Sequence, residues 1–214
     1  MSIDVLLSGF EPFAGAATNE SWEAVRRAAP QLESRGVSVA TARLPVVFSR
    51  GADLLLEQIE ARSPHLVIAT GLAAGRRAIT PERVAINVQD ARIADNDGRS
   101  PIDVPCLAGG PVGYFSTLPI KAMVEAARVL DVPAAVSQAA GTYVCNDVFY
   151  RLCHALRADA SAGSRGGVAV RGGFVHVPSA DVVGADDAAR ALVAMVEAAL
   201  RSDQDVRITG GVES

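Results

Sequence analysis

Arg171-Gly172-Gly173-Phe174-Val175-His176-Val177-Pro178 is an apolar run of strand length closed by a proline. At Ala185–Arg201 it is followed by a helical pattern that opens on Asp186 and Asp187. Acidic residues suit the first turn of a helix, where they face the positive end of its dipole. Strand followed by helix is a unit, and the same alternation recurs toward the N-terminus. Strands are expected at Val5–Ser8, Val37–Arg43, Leu66–Ala69, Ala134–Ser137 and Gly173–Val177, with a polar-alternating antiparallel ribbon around Arg83–Arg92. Helices are expected at Ser21–Ala29, Ser49–Ala61, Ile120–Leu130, Asn146–Ala158 and Ala185–Arg201. This pattern reads as one α/β domain over residues 1–214, a three-layer α/β/α sandwich around a mixed, mostly parallel central sheet.

Two regions resist the alternation. Residues 94–118 hold Gly98, Pro101, Pro105, Gly109, Gly110, Pro111 and Gly113, an irregular run long enough to suggest a lid or a partner contact. The stretch Ala160–Gly167 reads as a flexible connection, and residues 203–214 as a frayed polar tail.

Composition narrows the function. Half of the 214 residues are apolar and the net charge is only −4, so the chain lacks a basic footprint for nucleic acid. No leader-like N-terminus and no apolar stretch of membrane-spanning length is present; no membrane partner is expected, and a cytoplasmic location is. Cys106, Cys145 and Cys153 are an odd number without CxxC spacing, which argues against a disulfide framework and against a zinc site. The glycine-rich pieces at Gly71–Gly75 and Gly166-Gly167 do not match a dinucleotide or phosphate-loop spacing, so no cofactor is expected.

One cysteine stands apart. In Ala140-Gly141-Thr142-Tyr143-Val144-Cys145-Asn146-Asp147 a small-residue turn hands over to the helical repeat Val148, Leu152, Leu156. A thiol there meets unpaired backbone N–H groups and the helix dipole, which favour thiolate and can hold an oxyanion. His176, near the end of its strand, offers the imidazole that such a nucleophile needs. Taken singly, these residues have plainer readings: Cys145 as a small buried apolar residue, His176 as a hydrogen-bonded strand-end histidine, Glu82 as a solvated carboxylate, Phe10 and Phe13 as core.

Other stretches join the two around cysteine and histidine. They are Ser8-Gly9-Phe10-Glu11-Pro12-Phe13-Ala14-Gly15 with Asn19 and Ser21-Trp22; Ile79 to Asn87 running into Asp90-Ala91-Arg92-Ile93 and Asp95-Asn96; and Gly109-Gly110-Pro111 through Lys121. In this order the chain resembles the pyroglutamyl peptidase I (pyrrolidone carboxyl peptidase) family, cysteine peptidases that remove N-terminal pyroglutamate from peptides. The resemblance implies a Cys/His/Glu triad at Cys145, His176 and Glu82. It also implies a slot for the lactam ring lined by Phe10, Phe13, Ile93, Tyr143 and Val144, with Asn19 binding the ring amide and Arg92 positioning the carbonyl. The partners it implies are peptides bearing N-terminal pyroglutamate, and a homo-oligomer, tetramer or dimer.

The chain departs from the family at several points. Ala14-Gly15 stands where a glycine pair is common, Asn19-Glu20-Ser21-Trp22 where the family has Asn-Pro-Ser-Trp, and Leu72 where a glutamine is usual. Asp147 replaces a histidine that often follows Cys-Asn, and a carboxylate so near Cys145 is expected to raise its pKa. Two further readings stay open on sequence alone: a catalytically silent pyroglutamyl-peptide binder on the same scaffold, and a different hydrolase or phosphorylase-type enzyme.

Overall fold

The strands are longer than their apolar cores because the sheet is covered on both faces. β1 (Ile3–Phe10) sends Val5 and Leu7 to one side and Leu6 and Phe10 to the other, all buried. That two-sided burial is why such strands read as continuous apolar runs. A computed structural model describes residues 2–161 and 169–211. The remaining elements are α1 (Glu20–Glu33), β2 (Val39–Leu44), α2 (Arg50–Arg62), β3 (Pro64–Leu72), β4 (Thr80–Ile86), β5 (Gly113–Phe115), α3 (Ile120–Arg128), β6 (Ser137–Ala139), α4 (Val144–Ser161), β7 (Arg171–Val177) and α5 (Ala185–Arg201).

The sheet runs β2-β1-β3-β7-β4-β5, with β6 beside β4. β2, β1, β3 and β7 are mutually parallel, whereas β4 is antiparallel to β7 and β5 and parallel to β6. One face packs residues of α1, α3 and α5 against Val5, Leu7, Leu66, Ile68, Val175 and Val177; the other packs α2 and α4 against Leu6, Val67, Ala69 and Phe174. This is a three-layer α/β/α sandwich with a mixed sheet. Among the described residues no helix is long and apolar enough to cross a membrane.

Four expected strands lie inside β1, β2, β3 and β7, apart from an early start before β2. The fifth, Ala134–Ser137, is displaced: Ala134 forms only an isolated bridge to Ile79, and β6 begins at Ser137. The ribbon expected around Arg83–Arg92 is β4 paired with β5, starting three residues earlier and ending six earlier. Residues 94–118 are irregular apart from β5, and they are pinned rather than loose. Tyr143 Oη donates to the Ala94 carbonyl at 2.9 Å, Asp95 accepts from the Phe48, Asp97 and Arg99 amides, and Asn96 Nδ2 donates to Glu11 Oε1 and to the Pro12 carbonyl.

The tail expected to fray at 203–214 is also held as far as Gly210, while residues 212–214 lie outside the described residues. α3 begins after Pro119 and has no side-chain cap of its own, so its first amides need acceptors. The Asp205 carboxylate accepts from the Lys121 and Ala122 amides, Lys121 Nζ donates to the Ile208 carbonyl, and Arg83 donates to that of Gly210. The flexible connection expected at Ala160–Gly167 lies, after Ser161, outside the described residues.

Candidate active site

The thiol sits where β3 ends beneath the start of α4. α4 begins at Val144, two residues before the expected Asn146, so Cys145 lies inside its first turn. The turn into the helix uses Gly141 at a φ of 80°, a left-handed conformation that favours glycine. In an α-helix the first backbone N–H groups have no partner within the helix, so amides of this turn are available beside the thiol.

Gly71 makes room for the sulfur. A Cβ at this position would lie 2.8 Å from Cys145 Sγ and 2.8 Å from Phe174 Cζ. The strand register pairs Gly71 with His176 on β7, and His176 in turn with Thr80 on β4. Thus Cys145, from the helix above, and His176 and Glu82, from two neighbouring strands, converge at one point of the sheet. His176 Nδ1 and Glu82 Oε1 are 2.7 Å apart and both residues are buried. That pairing leaves the other ring nitrogen of His176 for chemistry. The Phe174 ring packs against the imidazole, with ring centroids 4.9 Å apart.

Burial dominates the electrostatics. It pushes the Cys145 thiol up to about 12, with the Glu82 carboxylate adding to the rise and Arg76 opposing it. Burial likewise lowers the His176 pKa, against the raising effect of its Glu82 hydrogen bond. The resting pair is therefore a neutral thiol beside a neutral imidazole, not the dipole-favoured thiolate expected from the helix start. Asp147 plays no part in this. It lies two residues along α4, about 200° around the helix from Cys145, and its buried carboxylate accepts from the Ser49 amide, Gln89 Nε2 and Arg151 Nε. The expected rise in the Cys145 pKa has its causes in burial and Glu82 instead.

Next to the thiol is a cavity of about 90 Å³ lined by Phe10, Phe13, Asn19, Val46, Leu72, Tyr143, Val144 and Cys145. Phe13 and Tyr143 lie ring to ring at 5.5 Å, with Phe48 edge-on behind Tyr143 at 5.3 Å. Asn19 reaches the lining, but most of its carboxamide is committed: Oδ1 accepts from the Ser21 amide and hydroxyl, and Nδ2 donates to the Glu11 carbonyl. Its main work is to cap α1 and to hold the Phe10–Phe13 turn. Arg92 and Ile93 are exposed and do not belong to the lining. They lie in the 90–95 segment, whose pinning by Tyr143 to Ala94 turns their side chains outward.

Sequence reasoning missed Arg76, Gly71 and Val46, and it treated Leu72 only as a lost glutamine. Arg76, on the β3–β4 loop, forms an ion pair with Glu82 Oε1 at 2.5 Å and also donates to Thr80 Oγ1 and the Ala139 carbonyl. Its signal was the arginine directly between the glycine-rich turn and the Ile79–Asn87 stretch. The other two thiols are remote from this chemistry. Cys106 bonds weakly to the Ile86 and Val88 carbonyls, Cys153 is buried in α4, and burial pushes each up to about 12. Among the described residues no His/Cys/Asp/Glu group is arranged to hold a metal ion.

A family model described as pyroglutamyl peptidase matches residues 3–206. The pyrrolidone-carboxylate peptidase of Bacillus licheniformis is 44% identical, with 99% of each chain covered. That of Cupriavidus necator is 48% identical, with 97% of each covered. Among solved structures, pyroglutamyl peptidase I of Bacillus amyloliquefaciens superimposes with a TM-score of 0.84 at 37% identity, covering 96% of this chain and all of that one. The pyrrolidone carboxyl peptidase of Thermococcus litoralis gives 0.84 at 31% identity, over 97% and 99%.

Proposed function

This chain belongs to the pyroglutamyl peptidase family, and on that premise we propose that it is a cysteine exopeptidase hydrolysing the amide bond after an N-terminal pyroglutamyl residue. Cys145 is the nucleophile, His176 the proton carrier and Glu82 its orienting partner. The observation that carries this reading is the convergence of Cys145 Sγ over Gly71, the strand partner of a histidine whose Nδ1 is held by a buried carboxylate.

The chemistry follows from the resting protonation. As Sγ attacks the substrate carbonyl carbon, its proton passes to His176 Nε2, and Glu82 stabilises the imidazolium through Nδ1–H. The carbonyl oxygen gains negative charge beside the first-turn amides of α4, which are suited to hold it. His176 then gives its proton to the leaving amine as the C–N bond breaks, leaving a pyroglutamyl thioester on Cys145. Water, deprotonated by His176, attacks the thioester; the released acid leaves and the thiol regains its proton.

The cavity supports the choice of substrate. A neutral five-membered lactam fits a slot walled by Phe10, Phe13, Val46, Leu72, Tyr143 and Val144. An open-chain glutamyl residue would bury an ammonium and a carboxylate there without partners, costing several kcal/mol. Asn19 has one amide N–H left for the ring carbonyl. Arg92 and Ile93, exposed in the segment that Tyr143 of the lining bonds at Ala94, suit contact with the residue after pyroglutamate better than with the ring. A cytoplasmic setting suits the three free cysteines, one of them the nucleophile. The exposed apolar side chains of Ile102, Val112 and Phe115, at and near the edge strand β5, support assembly as a dimer or tetramer.

The deciding assay is amine release from a chromogenic pyroglutamyl amide by wild type and by Cys145→Ser, with prolyl and glutamyl amides as controls. Turnover restricted to the pyroglutamyl substrate and abolished in the variant is expected. Binding without turnover by folded, reduced wild type would overturn the peptidase reading in favour of a silent binder.

A further inference from the structure

Glu82 is buried to zero exposure, and its Oε2 has no hydrogen-bond partner among the described residues. The carboxylate is therefore oriented through Oε1 alone, where His176 Nδ1 and Arg76 Nη1 meet. His176 is neutral at rest, so it supplies no charge to balance a buried carboxylate. A carboxylate buried without a cation beside it is costly, and the imidazolium formed at His176 needs a carboxylate held at Nδ1. Arg76 supplies that cation. Its guanidinium is itself fixed by Thr80 Oγ1, on the strand position facing His176, and by the Ala139 carbonyl at the end of β6. It is absent from the lining of the substrate cavity.

We infer that Arg76 is the positioning residue of the site: its ion pair at Oε1 holds the Glu82 carboxylate aimed at His176 Nδ1, and its charge beside the Cys145–His176 pair sets the pH range over which that pair works. This rests on the peptidase reading for its rate consequences, but not for its effect on the thiol. Among the described residues, the ionisable groups facing the pair are Glu82 from β4, Arg76 from the β3–β4 loop, Tyr143 just before α4, and Cys145 and His176 themselves. Arg83, next to Glu82 on β4, turns away to Gln138 and Gly210.

Removing the positive charge strengthens proton binding by His176 and by the Cys145 thiol, both of which Arg76 now opposes. The acid limb of the kcat/KM profile for a pyroglutamyl amide is therefore expected to move alkaline in Arg76→Gln by about one pH unit, a roughly tenfold loss on that limb. KM should stay within about twofold, because the cavity wall is untouched. Arg76→Lys should return the limb to its wild-type position. An unchanged limb in a folded Arg76→Gln protein overturns the inference, as does a limb that lysine fails to restore.

Should Arg76→Gln fail to fold, Glu82→Gln and the double variant Glu82→Gln/Arg76→Gln decide instead. A residue acting through Glu82 adds less than about a further twofold loss once Glu82 is neutral, whereas independent action multiplies the losses. If wild type hydrolyses no pyroglutamyl amide, the peptidase reading falls, and the pH dependence of iodoacetamide alkylation at Cys145, read by peptide mass, still tests Arg76. The alkaline shift is expected there too, and coincident curves for wild type and Arg76→Gln overturn the inference.

Discussion

Adding one methyl group at Gly71 should disable the site while leaving the fold nearly intact. The new Cβ of Gly71→Ala lies 2.8 Å from Cys145 Sγ, 2.8 Å from Phe174 Cζ and 3.1 Å from Phe174 Cε1, against a carbon–carbon contact optimum of about 3.5–4.0 Å. Something must move by close to 1 Å. Phe174 is fully buried and wedged by Phe10, Phe149 and His176, whose rings lie at 6.4, 6.0 and 4.9 Å. The sulfur ends a short side chain beside a cavity, so it yields first. Overpacking of this kind costs about 1–3 kcal/mol, which for a domain of this size lowers Tm by roughly 2–4 °C per kcal/mol. A nucleophile displaced by about 1 Å loses on the order of 100-fold in kcat, while KM holds within a few-fold because Gly71 does not line the cavity. Amine release from a pyroglutamyl amide measures the rate and a thermal melt measures the stability. Wild-type kcat in Gly71→Ala would refute the placement of the thiol over β3.

The remaining predictions concern charge. Asp147→Asn should lower stability by about 1–3 kcal/mol, since it weakens buried bonds to the Ser49 amide, Gln89 and Arg151. Its pH–rate profile should match wild type, and a displaced profile would restore a direct influence of Asp147 on Cys145. His176 binds its proton less readily in the folded chain than the ordinary 6.5, so below that pH the unfolded chain takes up a proton that the folded one refuses. This contribution leaves stability unaffected above about pH 6.5 and lowers it as pH falls toward the folded value, by at most ~1.4 kcal/mol per unit. Urea midpoints at pH 7.5 and 5.5 should therefore differ less in His176→Gln than in wild type, and equal differences would refute the buried neutral imidazole.

Much of the fold was legible because β1, β3 and β7 are covered on both faces and so spell themselves in apolar residues. β4 was misplaced for the opposite reason. Thr80 and Glu82 put polar groups on the face that serves the site and Arg83 puts one on the other, toward the tail, so no hydrophobic period marks its start. The tail misled for a related reason: Asp205 reads as solvated until α3 is placed with its amides open toward it. At the candidate site, the placement of Cys145 at a helix start and of His176 near a strand end was legible locally, while Glu82 was singled out only by the family resemblance. Arg92 and Ile93 were carried along with Asp90 and Asp95 as one motif, yet the Tyr143–Ala94 hydrogen bond turns that segment so that the two face outward. Gly71 meets Cys145 from an element distant in sequence, so register, not local pattern, reveals it, whereas Arg76 lies within six residues of Glu82 and was overlooked because the β3–β4 loop had no assigned shape.

Asp147 shows how adjacency in sequence misleads on a helix, and its position bears on how catalysis is divided here. With Asp147 turned toward α2, the first turn of α4 presents amides and the Cys145 thiol, without a carboxylate, to the cavity side. Burial keeps that thiol neutral at rest, so the helix terminus is not occupied in stabilising a standing thiolate. In the proposed mechanism its amides remain free for the negative charge that appears on the substrate oxygen during attack. A neutral pair that ionises only as the carbonyl arrives places the electrostatic stabilisation in the transition state rather than the ground state, where it raises the rate instead of tightening binding.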